Sequence, residues 1–277
     1  MPELPEVETI KSQLNRRLKG GKIKKIEIFL PKIIRLEAKF FINKTVGAKI
    51  KKVWRRAKMI IIDLDNGYSL LIHLKLTGRL ILCPRLREDY QKHTHLVFHF
   101  FDKSVLIFQD IRQFGYFDLY RTENLKRFFQ EKKLGPEPLK KSFTLKKFTE
   151  LLSKKPDKKI KPLLMEQNFI AGIGNIYAQE ICWSAKISPL RLAKTLNKKE
   201  IQEIYRHLLM ILKKAVKQGG TTAADEGYID ARGNKGKYGS QLKVYQREGE
   251  KCFRCKGIIE RIVLTGRGTA YCPRCQK

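Results

Sequence analysis

Acid is scarce in this 277-residue chain: 27 Asp and Glu stand against 59 Lys and Arg, a formal net charge of +32. Such an excess repels itself unless an anionic partner relieves it. Nucleic acid, anionic membrane and acidic protein all qualify. Nucleic acid is favoured, because each neutralised phosphate releases counterions. Long apolar runs are absent too. No stretch of about 18 apolar residues occurs, which excludes a membrane-spanning helix of the usual kind. The start, Met1-Pro2-Glu3-Leu4-Pro5-Glu6, is acidic and proline-bearing. It lacks the basic and then apolar pattern of a secretory leader, so a cytoplasmic protein is expected. Cysteine is sparse, with six residues; in that compartment they are thiols or metal ligands rather than disulfides. Hydrophobic residues, by contrast, make up 42% of the chain, enough for packed cores. The length suggests two domains and a small third module.

The surplus charge is clustered. Residues 140 to 161 hold nine Lys against Glu150 and Asp157, and residues 249 to 277 hold seven Lys/Arg against Glu250 and Glu260. An evenly spread, merely solvating excess of lysine fits this pattern less well than two basic modules do.

Periodicity divides the chain. Leu4, Val7, Leu14 and Leu18 fall on one helical face, with Pro5 in the first turn, Glu6 and Glu8 at the positive end, and Gly20-Gly21 as the stop. From Lys22 to about Tyr120 the pattern is mostly strand-like. Asp65-Asn66-Gly67 joins two apolar runs, and a second pair, 96–100 and 105–108, flanks Asp102-Lys103. Short strands with polar turns imply a sandwich or barrel-like sheet domain. Leu134-Gly135-Pro136-Glu137-Pro138 reads as a boundary. Four helices follow, around Phe148 to Leu152, at 160–167, at 176–185 and at 200–218. Gly219-Gly220 ends the last, and the Gly- and polar-rich stretch 221–239 reads as a mobile loop.

Cys252-Phe-Arg-Cys255 and Cys272-Pro-Arg-Cys275 are two C-x2-C knuckles flanking a hairpin-like segment. The spacing fits one tetrahedral four-thiolate zinc site, with four unrelated thiols as the alternative. No open coordination position is offered, so the zinc is expected to be structural, and a module this small needs it to fold. Arg267 lies at the hairpin turn, able to enter a groove. Cys83 and Cys182 sit in apolar stretches and read as core thiols.

Removal of Met1 leaves Pro2 as a terminal secondary amine. An α-amino group has a pKa of roughly 7.7–8.0, so much of it is neutral and nucleophilic near neutrality. Attack on an aldehyde-level carbon yields an iminium ion, and Glu3 and Glu6 lie beside it in sequence as proton carriers. Composition alone equally allows an ordinary helix N-terminus.

Several segments, in order from first to last, are similar to the bacterial formamidopyrimidine-DNA glycosylases (Fpg, or MutM). They are the start through Thr9, Ile160-Lys-Pro-Leu-Leu-Met-Glu-Gln, Ala171-Gly-Ile-Gly-Asn-Ile-Tyr-Ala178, Gly219-Gly-Thr-Thr222, Val244-Tyr245 and the hairpin ending in Cys275. The resemblance implies an α+β multidomain protein. Its parts are an N-terminal β-sandwich with flanking helices (1–133), a helical helix-two-turns-helix domain with a lesion-capping loop at 219–240 (134–248), and a C-terminal β-hairpin zinc finger (249–277). It implies excision of oxidised purines, 8-oxoguanine and formamidopyrimidines, from double-stranded DNA held between domains. Strand cleavage at the abasic site by β,δ-elimination follows, by a monomer with one structural zinc as its cofactor.

The resemblance also assigns roles. Pro2 is the nucleophile at C1′, Glu3 the proton-transfer carboxylate, and Glu6 organises the terminus. Lys58 contacts phosphate and assists proton transfer. A base worked on by an enzyme must leave the stack, and Arg112 and Phe114 match the residues that fill the gap. Leu76 stands where methionine is usual, a stiffer and shorter wedge. Lys161 and Asn175 match phosphate-gripping positions, with Asn175 placed as a helix N-cap, and His73 and Arg267 match further DNA contacts. After Thr222 the stretch Ala223-Ala-Asp-Glu-Gly-Tyr228 departs from the family pattern, which leaves the ranking of lesions open. Three alternatives remain. They are an endonuclease VIII-like enzyme for oxidised pyrimidines, a silent binder of damaged DNA, and a zinc-ribbon RNA-binding protein.

Overall fold

The computed structural model describes residues 1–85, 92–223 and 227–277. Contacts divide the chain into two compact units, 1–132 with 218–239, and 133–217 with 240–277. No helix among the described residues is long and apolar enough to cross a membrane.

The first unit opens with helix α1 (Leu4–Leu18). Its buried residues, Leu4, Val7, Ile10, Leu14 and Leu18, recur at helical spacing, so one face is committed to the core. Among the described residues eight strands follow: β1 (Ile23–Ile28), β2 (Ile50–Arg56), β3 (Met59–Leu64), β4 (Tyr68–His73), β5 (Gly78–Cys83), β6 (Thr94–Phe100), β7 (Val105–Asp110) and β8 (Tyr116–Arg121). They form two four-stranded antiparallel sheets, in the orders β1-β6-β7-β5 and β2-β3-β4-β8. Phe98 and Phe108 of the first sheet meet Phe117 of the second at ring-centroid distances of 5.9 and 5.0 Å, so aromatic rings bind the sandwich across its middle. Both expected hairpins are present, β3–β4 and β6–β7.

A helix, α2 (Ala38–Thr45), interrupts the expected run of strands, and another, α3 (Leu125–Glu131), follows the last of them. In α2, Phe41 and Thr45 are buried one turn apart, and Phe41 packs on Phe98. Tertiary packing, not propensity, makes that short helix.

Residues 218–239 cluster with this unit because it supplies their hydrogen-bond partners. Asp230 closes a turn by accepting from the amides of Arg232 and Asn234. Gln13 on α1 donates to Asp230 at 2.7 Å and accepts from the Ala231 amide, while the Leu82 amide donates to the Ala231 carbonyl. The described part of this segment is therefore pinned where sequence composition implied mobility; residues 224–226 of the expected lesion-capping loop lie outside the described residues.

The second unit holds α4 (Leu145–Ser153), α5 (Ile160–Met165), α6 (Asn175–Ser184) and α7 (Lys198–Lys217), then the hairpin β9 (Glu260–Leu264) and β10 (Arg267–Tyr271). The Cys182 thiol in α6 is pushed up to about 12 by burial, as suits a core thiol. Glu180 on α6 is buried, and its carboxylate collects the backbone amides of Lys243, Val244 and Tyr245 at 2.9–3.0 Å. Burial raises its pKa, and those amides oppose the rise.

Candidate active site

The first residues of α1 form a buried corner. Pro2, Glu3 and Glu6 are all buried, the two acids at 2% exposure. Glu3 and Glu6 make a reciprocal capping box, in which each carboxylate takes an amide at the other's end of the first turn. The Glu3 amide donates to Glu6 Oε2 at 2.8 Å. Glu6 Oε1 accepts from the Thr221 amide at 2.7 Å, across 215 residues of sequence. One carboxylate thus fixes both the start of α1 and the Gly219-Gly220-Thr221 segment.

The glycines are required there. Gly220 has φ +85°, and a Cβ on it would meet Glu6 Oε1 at 2.8 Å and Cγ at 2.9 Å. The Tyr228 hydroxyl donates to the Gly219 carbonyl at 3.1 Å. Burial, and then the charges of Glu6 and Asp230, push its pKa well above the ordinary value, so it stays a donor.

Lys58, 6% exposed, lies in the turn between β2 and β3, where Ala57 takes a φ of +53°. Arg55 ties this turn to α1, bonding Glu8 at 2.9 Å and the Ala57 carbonyl at 2.8 Å. The helix that carries Glu3 and Glu6 and the turn that carries Lys58 therefore share an anchor.

His73 sits at the end of β4, opposite Met59 in the sheet register. Its Nδ1 accepts from the Lys75 amide at 3.0 Å, so a proton belongs on Nε2. Its ring stacks on Tyr116 with centroids 5.6 Å apart, and the Arg35 guanidinium lies 3.3 Å from the Tyr116 centroid. Burial first, then Lys75, Lys58 and Arg35, hold His73 down to about 3. His73 is thus a neutral N–H donor among cations, an arrangement suited to phosphate. Lys75 is itself lowered by burial and by Arg35 and Lys132.

Leu76, Arg112 and Phe114 are presented by turns. Leu76 lies half-buried between β4 and β5, and Arg112 and Phe114 are exposed between β7 and β8. Phe114 is 53% exposed, unusual for a large apolar side chain, with the Arg112 guanidinium 5.2 Å from its ring centroid.

In the second unit, Lys161 Nζ donates to Asn175 Oδ1 at 2.6 Å. Lys161 is fully buried, so it acts on Asn175 rather than reaching outward. Asn175 is the first residue of α6 and not its N-cap; Gly174, in an extended conformation, holds that place. The physical reason is that the Asn175 side chain is taken up by Lys161 and by the Gly268 carbonyl, 3.3 Å away. Gln179 reinforces this link to the hairpin. It donates to the Gly268 carbonyl at 3.2 Å and accepts from the Ala270 amide at 2.7 Å. Arg267, next to that contact, is exposed.

The four cysteines Cys252, Cys255, Cys272 and Cys275 bring their sulfurs within 4.8 Å of one another. The Cys252–Cys275 and Cys255–Cys272 Sγ separations are 3.8 and 3.4 Å. A tetrahedral ion with Zn–S bonds of about 2.3 Å needs sulfurs about 3.8 Å apart, so the set fits one structural Zn2+. Trp183 Nε1 and the Arg254 amide donate to Cys252 Sγ, both at 3.4 Å, and such donors favour thiolate.

Sequence reasoning missed Arg35, Tyr116, Asp110 and Gln179. Gln179 and Glu180 had a signal, a polar pair inside the apolar run of α6. Asp110 stood in the Asp-Ile-Arg-Gln-Phe-Gly segment, but Arg35 and Tyr116 had none, since only the fold brings them to His73.

Comparison with known proteins gives these positions a common setting. The formamidopyrimidine-DNA glycosylase N-terminal domain matches residues 1–117, the formamidopyrimidine-DNA glycosylase H2TH domain matches 134–226, and the zinc finger found in FPG and IleRS matches 249–277. The formamidopyrimidine-DNA glycosylase of Pelotomaculum thermopropionicum is 43% identical over 100% of this chain and 99% of its own, and that of Listeria innocua is 41% identical over 100% of both. A crystal structure of the Lactococcus lactis Fpg with abasic-site DNA superposes with a TM-score of 0.91 at 38% identity, covering 99% of each chain. A MutM complex with DNA containing carbocyclic 8-oxo-G gives 0.89 at 38% identity over the full length of both. The chain belongs to the formamidopyrimidine-DNA glycosylase family.

Proposed function

We infer that the protein is a base-excision-repair DNA glycosylase that removes oxidised purines from duplex DNA and cleaves the strand at the resulting abasic site. The observation that carries this reading is the buried corner of Pro2, Glu3 and Glu6, in a chain similar over its whole length to enzymes solved with abasic and lesion-bearing DNA. Removal of Met1 gives Pro2 a secondary amine. Its lone pair attacks C1′ of the extruded nucleotide, the bond from C1′ to the base breaks, and the base departs with a proton; the C1′–O4′ bond then breaks, O4′ takes a proton, and the opened sugar is held as an iminium at C1′. The iminium left behind acidifies C2′, so loss of that proton expels the 3′ phosphate, and a second elimination expels the 5′ phosphate. Glu3 carries protons in these steps. Glu6, bound to the Glu3 and Thr221 amides, keeps the corner rigid, and Lys58 and His73 offer a cation and a neutral donor to the backbone phosphate.

Leu76, Arg112 and Phe114 fill the space vacated by the base. Residues 1–133 carry the chemistry, while 134–248 and 249–277 grip DNA. In that grip Lys161 orients the Asn175 amide and Arg267 reaches the DNA directly. Zinc supplies the fold of the hairpin and takes no part in bond making. The enzyme works as a cytoplasmic monomer.

The deciding experiment is borohydride trapping on a duplex holding one 8-oxoguanine opposite cytosine, with mass mapping of the adduct. A cross-link at Pro2, with Met1 absent, is expected. A cross-link on a lysine sinks the nucleophile assignment. Trapping on thymine glycol and not on 8-oxoguanine moves the substrate class to pyrimidines, which the Lactococcus lactis Fpg complex with an oxidised pyrimidine makes a live comparison; trapping on abasic DNA alone keeps Pro2 as the nucleophile and overturns the oxidised-purine assignment.

A further inference from the structure

Asp110, the last residue of β7, is fully buried, yet it lies beside a turn that exposes two apolar side chains, Ile111 and Phe114. Its carboxylate serves two turns at once. Oδ2 accepts from the Gly115 amide at 2.7 Å. Oδ1 accepts from the Arg112 amide at 3.2 Å and from the Thr77 hydroxyl. Thr77 Oγ1 in turn accepts from the Arg112 amide at 3.0 Å. Thr77 belongs to the β4–β5 turn that carries Leu76, a turn closed by the Gly78 amide on the Leu74 carbonyl at 3.0 Å. Arg112 and Gly115 bracket the β7–β8 turn that carries Phe114.

The surroundings leave this node little freedom. A Cβ at Gly115 would meet Phe108 Cζ at 2.6 Å and Asp110 Oδ2 at 3.1 Å. Gln113 is held at a φ of +56°, and its amide donates to the Asp110 carbonyl at 3.3 Å. That carbonyl also accepts from His95 Nε2 at 2.8 Å. The short turn therefore adopts a conformation that L side chains disfavour, and the hydrogen bonds converging on Asp110 define it.

We propose that Asp110, acting through Thr77, is a positioning residue that locks Leu76, Arg112 and Phe114 into a single wedge, so that extrusion of the lesion and reading of the opposite base depend on a buried carboxylate that touches no DNA. This rests on the reading of those three side chains as the gap fillers. If the wedge must enter as a unit, a slack turn misplaces all three tips together, and loss of geometry near 1 Å is costly in rate. A preformed abasic site needs less of the wedge, because no base has to be unstacked.

The test uses Thr77→Val, Asp110→Asn, Thr77→Ser and Arg112→Ala in the full-length zinc-loaded protein. Single-turnover excision of 8-oxoguanine is measured opposite cytosine and opposite adenine, with borohydride trapping at a preformed abasic site alongside. Thr77→Val and Asp110→Asn are expected to slow excision opposite cytosine on the order of 10- to 100-fold and to move the cytosine-to-adenine ratio toward one. Abasic-site trapping should stay within about threefold. Thr77→Ser restores the hydroxyl and should restore the ratio. Combining Asp110→Asn with Arg112→Ala should add little to Arg112→Ala, as members of one unit do. If Arg112→Ala itself leaves the ratio untouched, the gap-filling reading fails. If Arg112→Ala collapses the ratio while Thr77→Val and Asp110→Asn leave it intact, the positioning role of Asp110 is overturned. Equal losses in excision and in abasic-site trapping also overturn it, since a merely structural defect acts on both.

Discussion

The N-terminal corner and the zinc hairpin face the same problem, holding a few short segments in one arrangement, and they solve it with opposite chemistries. At the corner, Glu6 gathers the amides of Glu3 and Thr221, and a two-sheet sandwich stands behind it. In the hairpin module Val244, Ile259, Ala270 and the buried sulfurs of Cys252 and Cys272 make a small core, with Trp183 packed against it. Four sulfurs gathered within 4.8 Å take over what burial cannot supply. The corner proposed as the reacting site is framed by acids. A site that must only keep its shape is given to a metal whose coordination is already full.

That contrast can be broken most severely at Pro2, the proposed nucleophile. Pro2→Leu, whose bulky side chain blocks removal of Met1, should abolish borohydride trapping and cut excision on the order of 10³-fold or more. Affinity for lesion DNA, measured by anisotropy, should stay within about threefold, because the zinc hairpin is untouched.

The converse change comes next. Chelation or Cys272→Ser should release one zinc per chain and weaken duplex binding on the order of 10²-fold. Saturating DNA should then recover much of the bound-state excision rate, and a rate that stays low at saturation would show that the hairpin shapes the chemistry as well.

Glu6→Gln sharpens the comparison further. It places an amide group against backbone N–H donors and should cost about 1–3 kcal/mol in stability. Excision should fall on the order of 10-fold with little change in DNA affinity, read by single-turnover kinetics and thermal melting.

The smallest effect concerns pH. The His73 pKa is depressed from 6.5 to about 3. Between those values the unfolded chain binds a proton that the folded one does not, so the contribution is present above pH 6.5 and is lost as pH falls. His73→Gln keeps a neutral donor and should flatten that part of the melting-temperature profile. An unchanged slope would mean that His73 titrates normally.

Legibility in the sequence followed the range of the interactions. α1, both hairpins and the four later helices were readable because each rests on a local period or turn signal. The zinc set was readable because its ligands come in two short knuckles. The short α2 was not, because Phe41 is helical for the sake of its distant partner Phe98. The candidate catalytic residues came from local motifs together with family likeness. Their supports, Arg55 to Glu8, Glu6 to Thr221 and Gln13 to Asp230, join positions far apart in sequence and have no local pattern. The N-cap of α6 shifted from Asn175 to Gly174 for the same reason, since Lys161 and Gly268 claim the asparagine.

The bond from Thr221 to Glu6 also orders events during synthesis. Glu6 leaves the ribosome 215 residues before its partner. At about 5–20 residues per second the nascent chain spends roughly 10–40 s with that carboxylate lacking its Thr221 amide. The first unit cannot close until the helices of the second have been translated. A fragment released early therefore carries Glu6 without the Thr221 amide that it binds, and the corner is completed only in a chain that already holds the helices α4 to α7.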